Sequence, residues 1–215
     1  TSYISGMRLS QCKTDKIENP FIQDIIEVGD GMDDDKQYYD FFDMSKIDPK
    51  MKRKPLFIHL DMSLGGDRKK GTNSGDKTGI GGVWIKGKLP PNPDIPASKE
   101  MYYQMAFCVS VKATRGHQIS FAKTRNFIYW LKKQGFNIKG VTSDTYARAG
   151  VEQDLLAKGY NYEILSVDTT KDNVCLPYSA FKAAIYDQRI LFPKKGVNLL
   201  TEEITGLKRD NNSGK

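Results

Sequence analysis

The chain has 215 residues, of which 39% are hydrophobic and 11% aromatic, and this is enough for one packed soluble domain with an appendage. Its 33 basic and 26 acidic residues give a net charge of +7. No apolar run approaches the roughly 18 residues that a membrane span needs, and the first residues lack the basic start and apolar core of a signal peptide.

Three cysteines and two histidines limit the metal and redox chemistry of the sequence. Cys12, Cys108 and Cys175 are far apart and form no CxxC pair, so we expect reduced thiols in a cytosol-like compartment and no zinc site. His59 and His117 are too few for a histidine-based metal cluster. The chain also begins without Met, so we expect it to be a piece of a longer protein.

The charge is unevenly distributed along the chain. Residues 1–50 carry 11 acids and 6 bases, a net charge of −5, and residues 51–215 carry 15 acids and 27 bases, a net charge of +12. A basic domain behind an acidic segment favours a polyanionic partner, of which nucleic acid is the commonest. Solubility alone is the other explanation for such a balance.

Residues 1–54 show no sustained periodicity. Residues 21–26 fit a short helix or strand, and a cluster of aromatic residues follows before Pro49 and a basic run. We interpret residues 1–54 as an acidic connecting arm that packs on the main domain, residues 55–215. The aromatic cluster consists of Tyr38, Tyr39, Phe41 and Phe42.

A first hairpin is predicted from two apolar runs, residues 56–60 and 79–85, on either side of a polar, glycine-rich turn. Asp61 directly follows the first run. A continuous apolar run predicts a strand covered on both faces, where a charge is unfavourable unless it is paired or holds a cation. An Asp that caps the turn is the alternative interpretation.

Residues 71–78 nearly match a phosphate-binding loop, GxxxxGK followed by Ser or Thr. The second glycine is replaced by Asp76, whose carboxylate would face the phosphates, and no helix is predicted after it. We therefore interpret this stretch as a solvated hairpin loop.

The remaining elements alternate between strands and helices. Four prolines make residues 88–98 a loop, and strand 102–111, helix 119–134 and strand 137–144 follow it. Further along we predict helix 147–158, strand 160–167, a helix beginning at Pro177 and helix 199–209.

The order βββαβαβαα is that of an α/β, ribonuclease H-like mixed central sheet flanked by helices. Strands one and four are neighbours in that fold, so Asp61 and Asp144 would meet at its carboxyl edge.

From about residue 20 to its end the sequence resembles the nuclease domain of the large terminase subunit, the DNA-packaging motor, of tailed bacteriophages. The similar segments are NPFIQDIIEVGD, HLDMSLGGD with KTGIGGV, VTSDTYARAGVEQDLLAKG, PYSAFKAAIYDQRILFP and LLTEEITGLKR. The resemblance implies that Asp61 is the first catalytic carboxylate and Asp144 the second. The third has no counterpart in the chain and would lie beyond Lys215.

The resemblance implies a metal-dependent endonuclease that cuts double-stranded viral DNA during genome packaging, in the cytoplasm of the infected bacterial host. The implied partners are a motor ATPase domain in the same full-length chain, a portal and a small terminase subunit. Phosphodiester hydrolysis with two divalent cations, Mg²⁺ or Mn²⁺, calls for oxygen ligands, which Asp61 and Asp144 would supply.

Other side chains are candidates for lesser roles in such a site. Additional carboxylates near the two aspartates, or near the end of the chain, are Asp67, Asp76 and Asp210. The candidates for DNA phosphate contacts are Lys69, Lys70, Lys77 and Arg148. His59 shares a strand face with Asp61, and we expect it to be a hydrogen-bonded core histidine.

Two other functions remain open on this sequence. A resolvase-like or transposase-like nuclease of the same fold would use the same two aspartates, and only its products would distinguish it. A catalytically inactive DNA-binding or docking module would bind without cutting.

Overall fold

The computed structural model describes residues 2–29, 35–63, 77–88, 100–114, 117–144, 153–155, 157–158, 163–167 and 175–208. An eight-stranded mixed sheet forms its centre. The strands are β1 (Lys13–Thr14), β2 (Ile25–Val28), β3 (Leu56–Asp61), β4 (Lys77–Lys88), β5 (Met101–Ala113), β6 (Ile138–Asp144), β7 (Glu163–Val167) and β8 (Ile190–Pro193).

The described helices lie on both faces of this sheet. They are α1 (Gly6–Gln11), α2 (Pro49–Lys52), α3 (Phe121–Lys133), α4 (Cys175–Tyr186) and α5 (Asn198–Gly206). Residues 153–155 and 157 are also helical and lie within the predicted helix 147–158, most of which is outside the described residues. In the described part of the chain, no helix has the length and apolar character needed to cross a membrane.

The strand order is β1-β8-β5-β4-β3-β6-β7, and β2 pairs with β5. Strands β3, β4 and β5 form an antiparallel meander, while β6 runs parallel to β3 and β7 parallel to β6. This is the ribonuclease H-like arrangement, so the predicted fold class is confirmed. Lys77 and Thr78, the last two residues of the near-match to a phosphate-binding loop, lie in strand β4, whereas such a loop opens a helix; residues 71–76 lie outside the described residues.

One face of the sheet packs under α3. Ser120 begins this helix, since its hydroxyl accepts a hydrogen bond from the Lys123 amide, and the apolar spacing then buries Phe127, Ile128 and Leu131 completely. The aromatic rings of Phe21, Phe42, Phe107 and Phe127 pack against one another in this core.

A second core lies on the other face, where α1, α4 and α5 cover the β5 and β8 side of the sheet. Its buried residues include Leu9, Met105, Ile185, Phe192 and Ile204. These helices leave the same face of β3 exposed: burial alternates along that strand, and Phe57 is 41% exposed. The prediction that β3 is covered on both faces is therefore wrong for the described residues.

Two short strands, β1 and β8, were not predicted from the sequence, and a third, β2, overlaps residues 21–26, which were predicted as a short helix or strand. Strands β1 and β8 pair with each other, and residues 21–26 prove to lead into a strand, β2, that joins the edge of β5. Both β1 and β2 belong to residues 1–54 and lie in the same sheet as the strands of the main domain. The proposed boundary at residue 54 stays a prediction.

Candidate active site

Asp61 ends β3 at the carboxyl edge of the sheet, and its side chain is exposed. The strand forms because alternate residues, Leu56, Ile58 and Leu60, are fully buried beneath it. Hydrogen bonding to β4 on one side and β6 on the other fixes the backbone of β3 between two neighbours. The position of Asp61 is therefore set by the central part of the fold.

Asp144 ends the adjacent parallel strand, β6. The last paired residues of the two strands are Leu60 and Ser143, and each is followed directly by its aspartate. The backbone of Asp144 also pairs with Val167 on β7. The two aspartate positions thus lie next to each other along the carboxyl edge, as strand neighbours.

His59 lies on the same face of β3 as Asp61, two residues before it. Its Nδ1 atom is 2.8 Å from the hydroxyl oxygen of Thr142, and that hydroxyl donates to the Ile58 carbonyl at 3.4 Å. His59 is hydrogen bonded, as predicted, but it is exposed. The prediction of a core histidine is wrong because the face of β3 that carries it is not covered by the described helices.

A groove of about 200 Å³ extends from Asp61 across the sheet towards α5. Asp24 and Glu203 also line it. Asp24 caps α5, since its Oδ2 atom accepts hydrogen bonds from the amides of Asn198, at 2.9 Å, and Leu199, at 3.3 Å. Neither Asp24 nor Glu203 was predicted as part of the site.

Cys108 lies on β5 within the same groove. Burial raises the pKa of its thiol to about 12, and the negative charges of Asp24 and Glu203 act in the same direction. The thiol therefore keeps its proton at neutral pH.

Lys77 begins β4 and pairs in register with Lys112 on β5. Because Gly79, two residues further along β4, pairs with Asp61, the two lysines lie just beyond Asp61 on the sheet. The Lys112 ammonium is 3.8 Å from a carboxylate oxygen of Glu27. A positively charged pair of side chains thus lies beside the carboxylates of the groove.

The other predicted site residues lie outside the described part of the chain. Across the described residues, no group of three or more His, Cys, Asp or Glu side chains is arranged to hold a metal ion. The predicted positions that are not described are Asp67, Lys69, Lys70, Asp76, Arg148 and Asp210.

Two solved structures are similar to this chain. The crystal structure of the HK97 bacteriophage large terminase matches with a TM-score of 0.55 and 10% sequence identity, over 95% of this chain and 36% of that chain. The crystal structure of the large terminase nuclease from thermophilic phage G20c matches with a TM-score of 0.49 and 12% identity, over 75% of this chain and 70% of that chain. No protein-family model matches the sequence, and no curated protein sequence matches it.

The chain therefore has the fold of a region of the HK97 large terminase and spans about a third of the length of that protein. The predicted resemblance to phage large terminases is confirmed as a likeness of fold. At 10% identity, a shared fold does not carry over catalytic residues, which have to be argued from the site itself.

Proposed function

We propose that this chain is the nuclease domain of a phage large terminase, a metal-dependent endonuclease that cuts double-stranded viral DNA during genome packaging. The observation that carries the proposal is the juxtaposition of two strand ends. Parallel strands β3 and β6 are paired up to Leu60 and Ser143, and each then ends in an aspartate. In open α/β sheets, sites lie at this carboxyl edge.

The similarity to a phage large terminase supports the proposal because it spans 95% of this chain. The rest of a full-length terminase chain would carry a motor ATPase domain. A portal and a small terminase subunit would be the partners of the assembled protein, which would act in the cytoplasm of the infected bacterial host.

Asp61 and Asp144 fit the ligand chemistry of Mg²⁺ or Mn²⁺, since both ions prefer carboxylate oxygens to thiols. Two such cations would activate the attacking water and neutralise charge on the phosphate and on the leaving oxygen. Asp61 would hold them from a strand that is fixed on both sides. Asp67, Asp76 and Asp210 are candidates for further ligands, and by family resemblance a third catalytic carboxylate would lie beyond Lys215.

The lysines beside the groove would bind DNA through its backbone. Lys77, with Lys112 opposite it, would meet the phosphates that flank the scissile bond, and such contacts carry little sequence preference. Three further candidates for phosphate contacts come from the sequence alone, and they are Lys69, Lys70 and Arg148.

Two alternatives make different predictions for the products of the reaction. A resolvase-like or transposase-like nuclease would use the same aspartates on branched or transposon-end DNA. A catalytically inactive docking module would bind DNA and leave it intact in every metal.

Replacement of Asp61 by Asn tests the proposed function directly. Asp61→Asn should abolish cleavage of supercoiled plasmid in Mn²⁺ and preserve DNA binding at low salt, because only the charge that holds the cation is lost. Its melting temperature without metal should be unchanged or higher, because the proposed site would bring two carboxylates together, and these repel each other when no cation lies between them.

The matched control is Asp15→Asn, which removes an exposed carboxylate that is ion paired with Lys194 at 3.2 Å and is distant in the sheet from β3. Asp15→Asn should cut like the unaltered chain. Cleavage by Asp61→Asn at the unaltered rate would reject the proposed function, and a clearly lower melting temperature would support the turn-capping interpretation of Asp61.

A further inference from the structure

Two glycines form the floor of the groove beside Asp61. On β4, Gly79 pairs with Asp61 and Gly81 pairs with His59, and on the other side the same glycines pair with Ser110 and Cys108 of β5. Paired residues of antiparallel strands share a face, so side chains flank the two glycines on both sides. The middle of the groove floor is therefore bare backbone.

The conformation of the backbone does not require glycine at these positions. Neither Gly79 nor Gly81 belongs to the glycines with positive φ, which are Gly29, Gly87, Gly135 and Gly196. Glycine weakens a strand because it is flexible and has no side chain to pack. Two such residues in the central hairpin of the sheet therefore call for another explanation.

Packing within the described residues does not require glycine there either. A Cβ atom added at Gly81 would meet nothing within 4 Å, and one added at Gly79 would touch only the Cβ of Asp61, at 3.6 Å. The neighbouring Gly82 is different, because a Cβ atom there would lie 2.5 Å from the ring of Phe107 on the buried face. Gly82 makes room for the core, whereas Gly79 and Gly81 leave space on the outside.

The surroundings of the groove indicate what would use this space. Beyond Asp61 on the sheet lie Lys77 and Lys112, which pair directly opposite each other; Lys112 is already ion paired with Glu27 at 3.8 Å, and Lys77 adds a second positive charge that a phosphate would meet. At its other end the groove continues into an apolar cleft of about 270 Å³ lined by Phe57, Val83 and other residues. An elongated ligand with phosphates and apolar faces matches both ends.

We infer that the absence of side chains at Gly79 and Gly81 makes room for one sugar–phosphate strand of DNA, which lies against the backbone of β4. The phosphates of that strand would contact Lys77 and Lys112. This inference rests on the proposed function and specifies where the substrate strand lies. A strand interior that lacks side chains is typical of sites where a ligand approaches the backbone closely. A bulky side chain at position 81 would occupy the path of the strand.

The test is a size series at position 81, with Gly81→Ala and Gly81→Leu compared with the unaltered chain. Binding of a short fluorescein-labelled DNA duplex is measured by anisotropy at low salt in Ca²⁺, and the melting temperature is recorded in parallel. Gly81→Leu should weaken binding by about tenfold, Gly81→Ala should weaken it less, and neither should lower the melting temperature. Gly82→Ala should lower the melting temperature and leave the DNA affinity of the folded protein unchanged.

Each outcome supports or overturns the inference. Unchanged DNA affinity in Gly81→Leu would overturn it while leaving the proposed function intact, because that function depends on Asp61→Asn cleavage. An unfolded Gly81→Leu chain would also overturn it, since the space above Gly81 would then belong to the fold. Absence of DNA binding by the unaltered chain would overturn both this inference and the proposed function.

Discussion

The half-buried thiol of Cys108 is sensitive to the electrostatics of the groove. Its pKa is raised to about 12 by burial and by the nearby charges of Asp24 and Glu203. Between its ordinary pKa of 9.0 and about 12, the folded chain therefore keeps a proton that the unfolded chain releases. The free energy of unfolding falls as pH rises through this range.

We predict that alkaline destabilisation is weaker in Cys108→Ala than in the unaltered chain. One proton difference contributes a slope of at most about 1.4 kcal/mol per pH unit, and this contribution is absent when the thiol is removed. Urea unfolding between pH 8 and pH 11 measures the difference, since other alkaline titrations are common to both chains. Parallel stability curves for the two chains would contradict the raised pKa.

The residues of the site differ in how far sequence alone could predict them. Asp61 has a local signal, a charge at the end of an apolar run, whereas the stretch before Asp144 is more polar and indicates only a short strand that ends in an aspartate. Asp24 has none, because its role depends on hydrogen bonds to the amides of Asn198 and Leu199, 174 and 175 residues away. Contacts of that range become visible only when the chain is folded.

At the scale of elements, α5 forms one wall of the groove, and the first turn of this helix is capped by a residue outside the helix. Val197 precedes the helix and makes no side-chain cap, so Asp24 provides the acceptor that the first amides need. The carboxylate is also favourable near the positive end of the helix dipole. The segment that carries Asp24 and the helix that lines the site are thereby fixed to each other.

We predict that Asp24→Ala lowers the free energy of unfolding by about 1 kcal/mol, the usual effect of removing a helix N-cap. Asp24→Asn keeps an acceptor oxygen and should lose less. The midpoint of urea unfolding measures both variants. A loss in Asp24→Asn as large as that in Asp24→Ala would mean that charge, and not the hydrogen bonds, stabilises α5.

The long helices and strands could be predicted from the periodicity of their apolar residues, and the short strands could not. The apolar spacing of α3 and the apolar runs of β3 to β6 predict these elements within a few residues of their observed ends. Strand β1 has two residues and β8 has four, and they pair with each other across some 180 positions of sequence. Such strands owe their form to their neighbours in the sheet rather than to any local pattern.

At the scale of the whole molecule, the two faces of the sheet have different roles: one packs the hydrophobic core, and the other carries the candidate site. One face is packed under α3 with the aromatic residues of the N-terminal segment, and this core stabilises the strands that carry the aspartates. Among the described residues, the other face is covered by α4 and α5 on the β5 and β8 side, and these helices leave β3 exposed beside the groove. The candidate site therefore lies where a rigid central strand reaches solvent.

The central claim is that Asp61 and Asp144 together hold a divalent cation. The most direct measurement is a crystal structure of the chain soaked in Mn²⁺, with anomalous data collected to locate the metal and Asp61→Asn crystals as the control. We predict anomalous density at the carboxyl ends of β3 and β6, coordinated by both carboxylates, and its loss in Asp61→Asn. Anomalous density elsewhere in the crystal, with none between Asp61 and Asp144, would contradict the claim.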